Sequence, residues 1–294
     1  MKQYFSITLI AIICTSIGLF SCTDKRNGDD DESGIGFDSI RIIEKKHLFN
    51  DTTKSFAKVE FDLKIPQNST PEKSRSFIYK SFLNSLFEVS ETHQTIEKVA
   101  EIYIRNYFND YSKLEKDYLE LQKEHKTLNE EDAEYASSET LFSYENRINL
   151  DIIYNKNGIL SYVVRRFEYT GGAHGMNTDT YTILLTDKGL ALKQDDLFDE
   201  ENNEKLATLI VNNLVKANNV DDSSKLEEIG FFSVKEIMPN GNISVSEKGI
   251  TWSYNPYDIA AYALGSITVT VPFKELKPYF KANHPLTDFI NKIQ

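Results

Sequence analysis

Cysteine is nearly absent from this chain. Its 294 residues hold two, Cys14 and Cys22, both within the first 22 positions. No pair is left for a disulfide in the remainder and no cysteine-based metal site can form, so the body must fold on its apolar core. Histidine is also sparse: His47, His93, His125, His174 and His284 stand singly, without a helical pair, so neither metal nor cofactor is expected. Long apolar runs are missing after Phe20, and nothing downstream is expected to span a membrane. Basic residues are outnumbered, 33 Lys and Arg against 45 Asp and Glu, for a formal net charge of −12. That deficit argues against nucleic acid and anionic lipid surfaces and suits a cationic partner. No Gly-x-Ser-x-Gly, P-loop or credible triad is legible.

What is present at the start is an address. Lys2 precedes an apolar run from Ile7 to Phe20 that ends at Ser21-Cys22. A positive end, a segment short for a bilayer and a small residue before the cut describe a secretory signal over residues 1–21. Cysteine directly after the cut resembles the lipobox of bacterial lipoproteins, with Cys22 as the lipidated N-terminus; Phe20 departs from the small or β-branched residue usual there. A plain signal peptide and an uncut anchor helix are the alternatives. Residues 22–38 read as an acidic, flexible tether, with three Gly and the run Asp29-Asp30-Asp31-Glu32 between Thr23 and Gly36. That cluster resembles the surface-export signal of Bacteroidetes lipoproteins. The implied location is the outer membrane, periplasm-facing or surface-exposed, with contact to the membrane through the Cys22 lipid only.

The body reads as two halves, residues 39–150 and 151–294. Phe56–Ile65 alternates apolar and polar residues as a half-buried strand does. Thr70-Pro71 opens a helix carrying Phe77, Ile78, Phe82, Leu83, Leu86 and Phe87. Apolar residues then recur in steps of three and four from Ile96 to Leu121, predicting one long helix of about thirty residues, roughly 45 Å. The acidic segment Asn129–Ser138 reads as a loop. Tyr144–Tyr154 and Leu160–Tyr169 form a hairpin about Asn157-Gly158. Thr180–Thr186 is a strand closed by Asp187-Lys188-Gly189, and Asp199–Asn218 is a helix capped by Asp199. Ile243–Val245, Gly249–Tyr254 and Ser266–Val271 complete the strands, and Phe273–Phe280 is a short helix interrupted by Pro278. The pattern predicts an α+β fold: an antiparallel sheet with packed helices, and an N-terminal strand followed by long helices.

Candidate functional residues are few. The tyrosine stripe at Tyr103, Tyr107, Tyr111 and Tyr118 is read as packing rather than a binding face. Gly171-Gly172-Ala173-His174-Gly175 is a turn whose glycines would let backbone amides approach a ligand. His174 is read as bracing that turn, with a base or metal role as the less favoured alternative. Trp252, Tyr257 and Tyr262 could line a groove. The candidate ligand-binding set is therefore Gly171, Gly172, His174, Trp252, Tyr257 and Tyr262, with no catalytic and no metal residue assigned.

Tyr169–Gly175, the strand YTILL and Asp195-Asp196-Leu197-Phe198 resemble the GGAH … DLF pattern of the domain of unknown function 3298. Tyr254–Gly265, running into a strand and Pro272-Phe273, is similar to that family's C-terminal signature, so the resemblance covers about residues 151–285. The preceding strand and helices resemble the domain 4163 that commonly sits before it. This pair forms the extracellular part of lysozyme-sensing anti-sigma-V factors and accompanies a peptidoglycan deacetylase domain elsewhere. The resemblance implies an envelope binding or sensing module rather than an enzyme, for a lysozyme-like cationic protein or a cell-wall fragment. The alternative is an envelope hydrolase or deacetylase-like enzyme on glycan or peptide, with a site assembled from His174, Glu168 and Asp179.

Overall fold

The computed structural model describes residues 34–125 and 138–293. The expected signal over 1–21, Cys22, residues 22–33 of the tether and most of the acidic segment after Asn129 lie outside the described residues. Among those described, no helix is long and apolar enough to cross a membrane.

A six-stranded sheet in the order β1 to β6 forms the scaffold: β1 (Phe37–His47), β2 (Phe56–Pro66), β3 (Tyr144–Lys156), β4 (Ile159–Thr170), β5 (Met176–Leu185) and β6 (Leu190–Leu192). Neighbours are antiparallel except β2 and β3, which run parallel with Ala57 opposite Tyr144. The expected antiparallel sheet holds at every other neighbouring pair, and the one parallel pair requires a crossover. Helices α1 (Glu72–Phe87), α2 (Ile96–Ser112) and α3 (Glu115–His125) supply it. The division between residues 150 and 151 falls inside β3, so both halves share one sheet. β1 carries no clean alternation and was not anticipated. It begins at Phe37, and the peptide of Ile35 is already fastened by Asn155, whose amide oxygen accepts from Ile35 N at 3.0 Å and whose amide nitrogen donates to its carbonyl at 2.7 Å. The chain is therefore ordered from within the stretch read as tether.

Side chains alternate across the sheet, and each face has its own core. Val59, Phe61, Ile148, Leu150, Leu160 and Val164 face α1 and α2. Tyr162 is on that face too, its hydroxyl 2.8 Å from Ser81 Oγ and 2.7 Å from Ser85 Oγ. The expected long helix is broken at Lys113-Leu114. Ser112 Oγ donates back to Phe108 O at 2.9 Å, a local bond that bends helices, and the turn folds Tyr118 onto Leu48 and Phe142. The tyrosine stripe is packing, as read: Tyr103 lies between Phe61 and Phe87, and the Tyr111 hydroxyl donates to Phe142 O at 2.7 Å.

On the opposite face, Ile159, Ile183 and Leu185 meet a three-stranded antiparallel sheet, β7 (Ile243–Ser246), β8 (Gly249–Tyr254) and β9 (Ile267–Val271). Helix α4 (Ser138–Leu141) precedes β3, and α5 (Asn203–Asn218) covers the small sheet through Leu206, Ile210 and Leu214. Asp199 does not cap α5; its carboxylate pairs with Lys281 at 3.3 Å, and a 3₁₀ turn over Glu200–Asn202 intervenes. The sheets are tied by Ser161, fully buried, whose hydroxyl donates to Val245 O at 2.9 Å and accepts from Val245 N at 3.1 Å. The small sheet covers β4 only as far as Val163. Beyond it, from Arg165 onward, that face is open, and the step between covered and open sheet makes a cleft.

Candidate functional site

The cleft has a volume of about 350 Å³ and follows from strand register. Arg147 and Asn149 on β3 stand opposite Phe167 and Arg165 on β4, which stand opposite Asn177 and Asp179 on β5. All six point to one face, and Ser266, immediately before β9, closes the side. Arg166 borders the cleft, but its guanidinium reaches the helical face and donates to Ser85 O and Leu86 O at the end of α1.

The charged groups are held in place by one another. Arg165 pairs with Asp151 and lies 3.8 Å from Asp179. Arg147 lies over the Phe167 ring, 4.2 Å from its centroid, and 3.7 Å from Glu145. Burial raises the Asp179 carboxyl above its ordinary value, opposed by Arg165 and by a hydrogen bond from Ser266. The free edge of β5 is sealed by side chains: Asn255 Oδ1 accepts from Asp179 N at 2.7 Å and Asn242 Oδ1 from Tyr181 N at 2.8 Å. The side-chain amides of Asn149 and Asn177 have no hydrogen-bond partner among the described residues. Asn177 is exposed and Asn149 half-buried, so their donors and acceptors face solvent and are accessible to a ligand.

The Gly171–Gly175 loop borders this cleft. Gly171 has φ +85°, and a Cβ there would lie 2.4 Å from Leu141 O; one at Gly175 would strike the Phe167 ring at 2.5 Å. Only glycine lets the loop press this closely. Gly172 is exposed and its carbonyl accepts from the Tyr169 hydroxyl at 2.8 Å. His174 Nδ1 is 3.0 Å from Gly175 O, and the Tyr262 hydroxyl donates to that same carbonyl at 2.5 Å. The His174 ring stacks on Tyr262 at 4.2 Å, and Tyr262 on Tyr257 at 5.6 Å. His174, Tyr262 and Tyr257 thus form one ladder, joining two sequence candidates about eighty residues apart.

Trp252 does not belong to it. It is fully buried between the sheets, and its indole N–H donates to Gln194 Oε1 at 2.8 Å. Its strand neighbours turn it into the core, so it lines no groove. Nor does the register assemble the enzymatic set: Glu168 projects to the helical face and Asp179 to the open one, because they sit at opposite parity in paired strands. Among the described residues, no group of three or more His, Cys, Asp or Glu could hold a metal ion. A larger groove of about 780 Å³ runs between the end of β2, α1 and the loop before α2, but its Tyr79 hydroxyl is already engaged by Ile96 N–H. Arg147, Asn149, Arg165, Asn177 and Ser266 were not singled out from sequence, since alternate polar residues in a strand read as a solvent face. Pairing outward from the Asn157-Gly158 turn would set Arg165 opposite Leu150; a β-bulge between Ile152 and Tyr154 shifts the register by one residue and brings Arg165 opposite Asn149.

Comparison with known proteins divides the chain at this site. Residues 195–274 match the family model described as "Protein of unknown function (DUF3298)". A DUF3298 domain is present in this chain. Residues 52–177 match the model described as "Deacetylase PdaC". The cleft draws Arg147, Asn149, Arg165 and Asn177 from the second stretch and Ser266 from the DUF3298 domain, which also supplies Tyr257 and Tyr262 of the adjoining ladder. The Gly171–Gly175 loop falls in the PdaC-matched stretch, and Tyr254–Gly265 in the DUF3298 match. A crystal structure of a DUF3298 family member from Bacteroides fragilis is similar with 28% identity and a TM-score of 0.77, covering 90% of this chain and 99% of that one. A DUF3298 family protein from Pseudomonas aeruginosa, at 13% identity and a TM-score of 0.55, covers 87% and 97% and shares the fold. No curated protein matches.

Proposed function

We propose that this chain is a non-catalytic binding module of the cell envelope, and that a cell-wall fragment with sugar and peptide parts occupies the cleft beside the His174–Tyr262–Tyr257 ladder. The observation that carries this reading is the pair of uncommitted amides, Asn149 and Asn177, set among guanidinium and carboxylate groups next to exposed rings. Polar groups that converge without internal partners, beside an aromatic wall, are what a ligand-orienting site needs. The PdaC and DUF3298 matches support placing the module in the envelope, as does the signal-like N-terminus. Anchoring is through a lipid on Cys22 in the outer membrane, and Cys22→Ser should release the protein from the membrane fraction. Protease treatment of intact cells separates a surface-exposed from a periplasm-facing body.

The test is calorimetric titration of the purified full chain with a disaccharide-peptide from cell wall. A saturable one-to-one isotherm, weakened at least about tenfold, or about 1.4 kcal/mol, by Asn149→Ala with Asn177→Ala, is expected. No binding, or binding untouched by the double variant, refutes the site. The acidic surface favours a second reading, a cationic protein of lysozyme type; its binding unaffected by the double variant would move the function to another face. The PdaC match favours an enzymatic alternative, which release of acetate from an N-acetylated fragment would establish.

A further inference from the structure

Tyr257 stands where a tyrosine is costly. Asn255 O accepts from Asp258 N at 2.9 Å, Pro256 occupies the second position of the turn, and Tyr257 takes the third with φ +73°. A proline followed by a positive φ marks a type II turn, whose third position calls for Gly or Asn. A bulky residue there is a backbone outlier, and such strain concentrates where function requires it. The ring is not retained for core packing, since the residue is 50% exposed. Among the described residues its one ring contact is Tyr262 at 5.6 Å, which places it at the open end of the ladder. Asp258 Oδ2 accepts from Asn255 N at 2.7 Å, and Asn255 in turn holds Asp179 N, so the strained turn is tied directly to the cleft wall.

We propose that Tyr257 is a ligand-contacting residue whose exposed ring stacks against the apolar face of a sugar ring, giving the module a glycan subsite beside the polar cleft. This rests on the cell-wall reading above and assigns the sugar, rather than the peptide, to the ladder. A flat, apolar ring at a fixed angle offers the C–H face of a pyranose a large contact at small conformational cost. The amides and guanidinium groups of the cleft then take the neighbouring polar substituents.

The experiment titrates the full chain with three probes: the disaccharide-peptide, a tetramer of N-acetylglucosamine without peptide, and the stem peptide without sugar. Tyr257→Phe keeps the ring, Tyr257→Asn relieves the turn and removes it, and Tyr257→Ala removes it while keeping the strain. Tyr257→Asn and Tyr257→Ala should weaken the tetramer and the disaccharide-peptide about tenfold and leave the stem peptide unchanged, with Tyr257→Phe within about twofold of the native chain. The melting temperature of Tyr257→Asn should equal or exceed that of the native chain, showing that the lost affinity is not lost folding. Tetramer affinity unchanged in Tyr257→Asn overturns the subsite while the cell-wall reading stands, and loss confined to the stem peptide overturns the sugar assignment. If no probe binds the native chain, both readings fall.

Discussion

Two buried serines should respond oppositely to the same substitution. Ser161 is fully buried on β4, and its hydroxyl satisfies both the N–H and the carbonyl of Val245, at 3.1 and 2.9 Å. Those groups point outward from the edge strand of the small sheet, so Ser161→Ala strands two main-chain groups away from water. Each such group costs about 1–3 kcal/mol, giving roughly 2–6 kcal/mol in all. Ser253, 1% exposed on β8, has a hydroxyl with no hydrogen-bond partner among the described residues, so Ser253→Ala should be neutral or slightly stabilising. At about 2–4 °C per kcal/mol for a chain near this size, Ser161→Ala should lower the melting temperature by roughly 4–24 °C and Ser253→Ala by none. Trp252 is the chain's one tryptophan and lies between the sheets, so its fluorescence follows the transition. Equal shifts for the two variants would refute the inter-sheet bond and, with it, the step in the sheet that forms the cleft.

Other outcomes are as definite. Trp252→Phe leaves Gln194 Oε1 unpaired and part of its space empty, and should cost about 1–3 kcal/mol by circular dichroism melts with ligand affinity unchanged. Asp179 binds its proton more readily folded than unfolded, so stability falls as pH rises from its ordinary value of 3.8 through its higher folded value. Asp179→Asn should flatten that slope in urea melts between about pH 4 and 7 and raise stability at neutral pH; an unchanged slope would show that the carboxyl does not titrate there.

Much of the scaffold is legible from local pattern. The Phe56–Ile65 alternation, the Asn157-Gly158 turn and the Leu206–Leu214 spacing each declare their element, because each buries one face. What escapes depends on contacts distant in sequence. β1 mixes charge and apolar residues because it lies at the sheet edge, and the parallel β2–β3 pairing follows from where three helices send the chain. The break at Lys113-Leu114 lies inside an uninterrupted helical period and arises from packing against Leu48 and Phe142. At the site, His174, Tyr257 and Tyr262 were visible as a glycine turn and an aromatic cluster, but not as one ladder. Trp252 shares the strand signature of a groove residue and differs only in pointing inward. Arg147, Asn149 and Asn177 carry no motif, and only cross-strand register makes them neighbours.

The central claim is that a cell-wall fragment touches Asn149 and Asn177, and the side-chain amide resonances of those residues report it directly. Titrating the isotopically labelled chain with the disaccharide-peptide should move both NH₂ pairs saturably, together with the Arg147 Nε–H and the Gly175 amide. Shifts confined to the groove at Tyr79 and His93, or to the surface away from β3–β5, with Asn149 and Asn177 unmoved, would contradict it.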